Sequence, residues 1–340
     1  MMKKIWAILF LFMTLQSSSQ DFTFSQFYEQ PLLRNPALAG IFNGDLRVSM
    51  QYRDQWGAIT VSFRTASLSV EHKISVGKKD DFLTMGAQMS MDGAGDIRLK
   101  RTQILPAINY HKSLSGNKDS YLSLAFMGGP VFSQFDPTQI KFGDQYRAGA
   151  YSSSNPTMQV LSGTGYNYWD LSTGISYTTE IENKLRFYIA AGISHVNKPT
   201  IKSLATTIDD AIMPKYNFNI GINGKINDRD YISAFVDYFS QNGSRQIIGG
   251  VLYGFSTTTN YVSEEPNIFY IGSFVRWGDA VIPVAKMSFN HMTVGVSYDV
   301  NISALKTSSN WRGGLELSIS YTNFLKIRST SAEHMRCIRF

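Results

Sequence analysis

The sequence predicts an all-β protein: a transmembrane outer-membrane β-barrel of about 14 antiparallel strands, with an N-terminal plug segment and a short C-terminal periplasmic tail. Three observations carry that expectation. Apolar and polar residues alternate through most of the chain after residue 44, the period of strands rather than helices. No apolar run after residue 20 is long enough for a spanning helix, and barrels evade that test because each strand shows only one face to lipid. The chain also opens with the charged, apolar and small-polar order of an export signal.

That opening is "MMKKIWAILFLFMTLQSSSQ", residues 1–20, read as a signal peptide with cleavage near Ser19 or Gln20. Its removal takes Lys3 and Lys4 and no acid, so the net charge falls from +6 to +4. Lysines and arginines are scattered, without a block or an aromatic-interleaved patch, so nucleic acid is not an expected partner. The single cysteine, Cys337, excludes an intramolecular disulfide although the chain is expected to leave the cytoplasm.

Residues 21–44 fit neither a linker nor a strand. Phe22, Phe24, Phe27, Tyr28, Leu32 and Leu33 supply apolar surface that is costly to leave in water. In "RNPALAG" Asn35 reads as an N-cap, Pro36 as the first helical position, Ala37–Ala39 as helix formers and Gly40 as the stop. Ahead of a barrel, such a self-terminating turn is expected to fold into the lumen as a plug, with Arg34 meeting lumenal carboxylates. Phe27, Tyr28, Arg34, Asn35, Pro36 and Gly40 are its candidate interaction residues.

The barrel is expected over residues 45–324. In "DLRVSMQYR" Leu46, Val48, Met50 and Tyr52 share one face, and Arg47, Ser49, Gln51 and Arg53 the other; "LELSISYTNF" repeats the pattern. Hairpin chemistry at "DGAGD", "SGNKD", "NDRD" and "QNGS" implies antiparallel neighbours. One long Gly/Ser/Pro-rich connection, 135–165, reads as either an elongated or an inward-folded loop. Closure requires the last strand, 312–324, to pair with the first, 45–53, because hydrocarbon offers an open edge no hydrogen-bond partners. Beyond it the basic tail 325–340 is expected to dock a periplasmic partner through Arg336, Cys337, Arg339 and Phe340.

Catalytic chemistry has no support. His72, His111, His195, His291 and His334 form no i, i+4 metal pair, and there is no phosphate-cradling loop, nucleophile elbow or paired-cysteine motif. No enzyme activity, metal or cofactor is expected.

Several segments resemble one family. "FSQFYEQPLLRNPALAG", "YRDQW", "KFGDQY", "YWDLSTGISY", "AAGISHVNKP", "GSFVRWGDAVIP", "GVSYDVNISAL" and "GGLELSISY" occur in the order found in the PorP/SprF family of type IX secretion system outer-membrane proteins of Bacteroidetes. The ending "RCIRF" resembles its terminal signature, with Ile338 where that signature has a proline. The resemblance implies an integral outer-membrane barrel, in contact with outer-membrane lipid, without catalytic residues. It implies support for the secretion and surface attachment of a cargo adhesin carrying a C-terminal sorting domain, of the gliding-motility type. The other role it implies is a link from the periplasmic ring lipoproteins and peptidoglycan-linked components to the outer membrane. The alternative from the residues is a passive porin or hydrophobic-ligand channel with an N-terminal hatch.

Overall fold

Fourteen strands form a closed antiparallel ring in the computed structural model, which describes residues 21–57, 61–76, 80–115, 119–161, 163–182, 184–201, 210–256, 266–304 and 306–324. Residues 1–20 and 325–340, with Arg336, Cys337, Arg339 and Phe340, lie outside the described residues. The first seven strands are β1 (Leu46–Gln55), β2 (Phe63–Ser75), β3 (Phe82–Ala94), β4 (Leu99–Ser113), β5 (Ser120–Gln134), β6 (Gly165–Ile181) and β7 (Leu185–Ser194). The remainder are β8 (Lys215–Lys225), β9 (Asp230–Gln241), β10 (Ser244–Ser256), β11 (Ile268–Arg276), β12 (Ala280–Phe289), β13 (Met292–Asn301) and β14 (Arg312–Asn323). The first and last strands begin at Leu46 and Arg312, within one residue of the starts at 45 and 312 that alternation marks, because alternation stops where a turn begins.

Sequence neighbours pair all the way round, and β14 closes on β1 from Leu46 opposite Asn323 to Gln55 opposite Gly314. Closure leaves no edge, as hydrocarbon requires. Gly44, just before β1, has φ +110°, and an added Cβ would meet the Asn323 carbonyl at 2.9 Å; glycine lets the chain turn tightly into the first strand.

Burial is inverted relative to a water-soluble sheet. On β14 the apolar Leu315, Leu317, Ile319 and Tyr321 are exposed, while Glu316, Ser318 and Ser320 are buried. On β3 Met85, Met89 and Met91 face out, and Thr84, Gln88 and Ser90 face in. A greasy outside around a polar inside is the pattern of a membrane barrel.

The long connection 135–164 extends outward and is not folded into the lumen: Met158 and Val160 are 91% and 83% exposed. It holds its own shape, with the Asp144 carboxylate accepting from the Thr157 hydroxyl and the Met158 N–H, and a two-residue ladder pairing Tyr146–Arg147 with Ala150–Tyr151. This loop and the residues that follow β7 (195–201) and precede β8 (210–214) lie at the end opposite the two ends of the barrel chain. Outer-membrane barrels keep short turns on the periplasmic side and long loops on the cell surface, so this is the surface end.

The interior is polar only in part. Strands β1–β3 present Ser49, Gln51, Ser67, Ser69, Thr84, Gln88 and Ser90. Across the lumen β7 and β9–β12 present Tyr188, Phe235, Phe239, Ile248, Leu252, Phe274, Ile282 and Val284, which form one buried apolar cluster.

Replacing Leu317 by Arg places a charge on the lipid face near the middle of β14 and should destabilise the barrel by about 2–4 kcal/mol. Ser318→Ala, one residue along and facing inward, should cost much less; denaturant titration of the protein in lipid vesicles compares the two.

Candidate functional site in the barrel lumen

Residues 21–44 run inside the ring. Their side chains and backbone bond to inward-facing groups on strands around the whole circumference, which only a lumenal position allows. Three short turns shape the segment: Phe27–Glu29, Pro31–Arg34 and Pro36–Leu38. In the last, Asn35 caps as its spacing suggests, its side-chain oxygen accepting from the Ala37 N–H at 3.0 Å, with Pro36 at the first position. The turn is 3₁₀ and ends at Leu38, and Gly40 follows with φ +84°. A Cβ on Gly40 would run into the Thr84 hydroxyl and the His111 ring, so only glycine fits against this wall.

Arg34 meets a lumenal carboxylate. Its Nε and Nη2 donate to the two oxygens of Asp237 on β9, both at 2.6 Å, and Nη2 also donates to the Tyr188 hydroxyl at 2.8 Å. Arginine is 5% exposed and aspartate fully buried, a forked geometry that offsets the desolvation of both charges. The guanidinium also lies over the Phe27 ring, 5.0 Å from its centroid.

Phe27 and Tyr28 enter the apolar half of the lumen. Tyr28 stacks on Phe235 and Phe274 with centroids 5.2 and 5.0 Å apart, and Phe27 meets Phe274 edge-on at 5.4 Å. Such pairs contribute about 0.5–1.5 kcal/mol each beyond the area they bury. Asn35 and Pro36 sit deeper in the ring, where Asn35 donates to Asn219 at 3.2 Å. The Ala37 carbonyl accepts from Asn109 at 3.0 Å and Ser176 at 2.7 Å, and the Gly40 N–H donates to Glu71 at 2.8 Å.

Toward the surface end, a charged group pins the stretch from Thr23 to Gln26. The backbone N–H groups of Ser25 and Gln26 donate to the Glu316 carboxylate at 2.7 and 2.5 Å, and the Ser25 hydroxyl donates to Asp299 at 2.5 Å. Arg53 and Arg276 both pair with Asp299, at 2.8 and 3.0 Å, and Arg53 also donates to the Thr23 carbonyl. At the leading end Asp21 bonds Arg101 at 2.9 Å and His195 at 2.7 Å. Burial pushes the Asp21 carboxyl up, but Arg101, then His195 and Lys215, outweigh it and hold it well below the ordinary carboxylate range.

The six lumenal residues singled out from sequence therefore share one channel interior, and the four tail residues lie outside the described residues. The barrel groups that bond the whole segment, Asp237, Glu316, Asp299, Glu71, Arg53, Arg276, Arg101 and His195, carry no mark of that role in the sequence. All are charged or ionisable, all but the half-buried Arg101 are buried, and the carboxylates interrupt otherwise apolar or hydroxyl-rich strands, as in "AFVDYF" and "LELSISY". The apolar inner wall also has a trace in sequence: alternation fades in β10 and β12, where "QIIGGVL" and "AVIPV" are apolar on both faces.

Among solved structures, the chain is similar to the Pseudomonas putida toluene transporter TodX, with 10% identity, TM-score 0.48, and 85% of this chain and 92% of that one covered. The monoaromatic hydrocarbon channel CymD gives 14% identity, TM-score 0.46, and coverage of 88% and 94%. The translocator domain of the autotransporter NalP from Neisseria meningitidis gives 11% identity, TM-score 0.39, and coverage of 83% and 90%. None of the curated proteins compared matches. A family model described as type IX secretion system membrane protein PorP/SprF matches residues 16–321. With the closed, lipid-facing barrel, this assigns the protein to the outer membrane and to the type IX secretion machinery, and the chain belongs to the PorP/SprF family.

Proposed function

We propose that this barrel works as a closed, partner-engaging component of the type IX secretion system and not as a conduit. It supports the secretion and surface attachment of a cargo adhesin carrying a C-terminal sorting domain, or it links the periplasmic ring to the outer membrane. Residues 21–44 act as the plug, and Phe27, Tyr28, Arg34, Asn35, Pro36 and Gly40 hold it in place. The observation behind this reading is the match between segment and wall. The aromatic Phe27 and Tyr28 face the apolar half, Ser25 and Gln26 bond the polar and charged half, and Arg34 is neutralised in the middle. Binding of this extent around the ring favours a filled lumen over an open pore.

Within this reading the tail residues Arg336, Cys337, Arg339 and Phe340 are the periplasmic docking element. A second reading has one observation in its favour. The inner wall of Tyr188, Phe235, Phe239, Leu252 and Phe274 is apolar, as the interior of a hydrophobic-ligand channel with a hatch would be.

Four measurements test this. Deleting residues 21–43 should convert a non-conducting protein into an ion-conducting one in planar bilayers, and equal conductance with and without the segment would refute the plug. Arg34→Gln leaves Asp237 buried and unpaired and should cost about 3–5 kcal/mol of barrel or plug stability, with Arg34→Gln/Asp237→Asn costing less than the sum of the singles. Affinity purification from detergent-solubilised outer membranes should recover an adhesin C-terminal domain or ring lipoproteins, and deletion of 335–340 should weaken that recovery. Uptake of a hydrophobic ligand by the wild-type protein in liposomes, without any co-purifying secretion component, would favour the channel.

A further inference from the structure

The lumenal segment has a direction. Its trailing end reaches Gly40 and Asp45 at the periplasmic end, where the Asp45 N–H donates to the Asn323 carbonyl at 2.9 Å and the chain continues into β1. Its leading residue, Asp21, lies at the surface end. There Arg101 stands near the start of β4, His195 directly follows β7, and Lys215 opens β8. The segment thus descends the whole lumen before the first strand rises beside it.

Three donors from three parts of the wall converge on the Asp21 carboxylate. Arg101 Nη1 donates to Oδ1 at 2.9 Å, the His195 Nε2 approaches Oδ2 at 2.7 Å, and the Lys215 ammonium is 3.8 Å from Oδ2. Asp170 on β6 holds the other imidazole nitrogen at 2.8 Å, which fixes the ring. His195 is 2% exposed, whereas the Asp21 side chain is 19% exposed. An arginine, a lysine and an oriented histidine around one point make a carboxylate receptor. Here the carboxylate comes from the chain itself, on the first described residue of a segment whose other polar anchors begin at Thr23. Phe22, Leu33, Leu105 and Met127 line the adjoining cavity, so the donors stand beside apolar surface.

We propose that Arg101, His195 and Lys215 form a carboxylate-binding site at the surface mouth, that Asp21 occupies it in the resting protein, and that a carboxylate presented from the cell surface displaces it. The ligand class is a carboxylate next to an apolar group, from either a chain terminus or an acidic side chain of a surface partner. With residues 1–20 removed as the expected signal peptide, displacement frees the leading end alone, because the trailing end is covalently tied to β1. The idea rests on the lumenal segment being a resting-state closure, so occupancy of the surface mouth would be reported into the lumen.

The test uses purified full-length protein in detergent, carrying Phe22→Cys and Cys337→Ser, with barrel folding checked by heat-modifiable gel migration. N-acetylphenylalanine supplies a terminal carboxylate, N-acetylaspartate amide a side-chain carboxylate, and N-acetylphenylalanine amide is the neutral control. The effective acid identifies which source the site takes. An effective acid should raise the rate of maleimide labelling at position 22 roughly tenfold, the equivalent of one charge-assisted hydrogen bond, while the neutral amide leaves it unchanged. Asp21→Asn should label at the raised rate without any ligand, and Arg101→Gln should lose the response to acid. Labelling of Asp21→Asn at the resting rate would overturn the proposal. So would an equal effect of acid and amide, a comparison that needs no change at the latch residues. The readout is independent of conductance: the deletion of 21–43 judges the plug, and labelling judges the latch.

Discussion

Everything in this structure follows from the absence of hydrogen-bond partners in hydrocarbon. A strand edge left open in the membrane costs several kcal/mol for each unpaired group, so β14 must meet β1 and the sheet must be a ring. The ring then divides every strand into an outward and an inward face. Met50, Leu317 and Ile319 can be exposed without penalty because lipid is their solvent. Glu316, Ser318 and Gln51 can be buried because the lumen supplies partners.

A closed ring of this size encloses an interior, and residues 21–44 of this chain run through it. The fit is chemical as well as steric. The lumen is apolar on one side and polar or charged on the other, and the segment carries its aromatic rings and its hydrogen-bonding groups on corresponding sides. The densest fixing comes from the Arg34–Asp237 fork in mid-lumen and from the Glu316 and Asp299 carboxylates nearer the surface end. Beyond them Asp21 is held by side-chain ion pairs at the surface end.

Membership of the PorP/SprF family sets the machine in which this barrel acts. Residues 21–44 run through the lumen from its surface mouth to its periplasmic mouth, which is the geometry behind the proposed closed state. The ordered surface loop 135–164, which displays Met158 and Val160, and the charged mouth around Asp21 lie at the same end of the barrel.

The ring was legible in the order of residues. Alternation in "DLRVSMQYR" and "LELSISYTNF" specified strands and their two faces, because side chains on a strand alternate with period two whatever the surrounding fold. It also specified the local turn at Asn35–Gly40, since capping, a helical first proline and a left-handed glycine are short-range effects. The partners came from the folded arrangement. Arg34 and Asp237 are 203 residues apart, Gln26 and Glu316 290, and Asp21 and His195 174, distances over which no local pattern carries information. Which carboxylate meets which donor depends on barrel curvature and on the path of residues 21–44 through the lumen, and those exist only once the ring has closed.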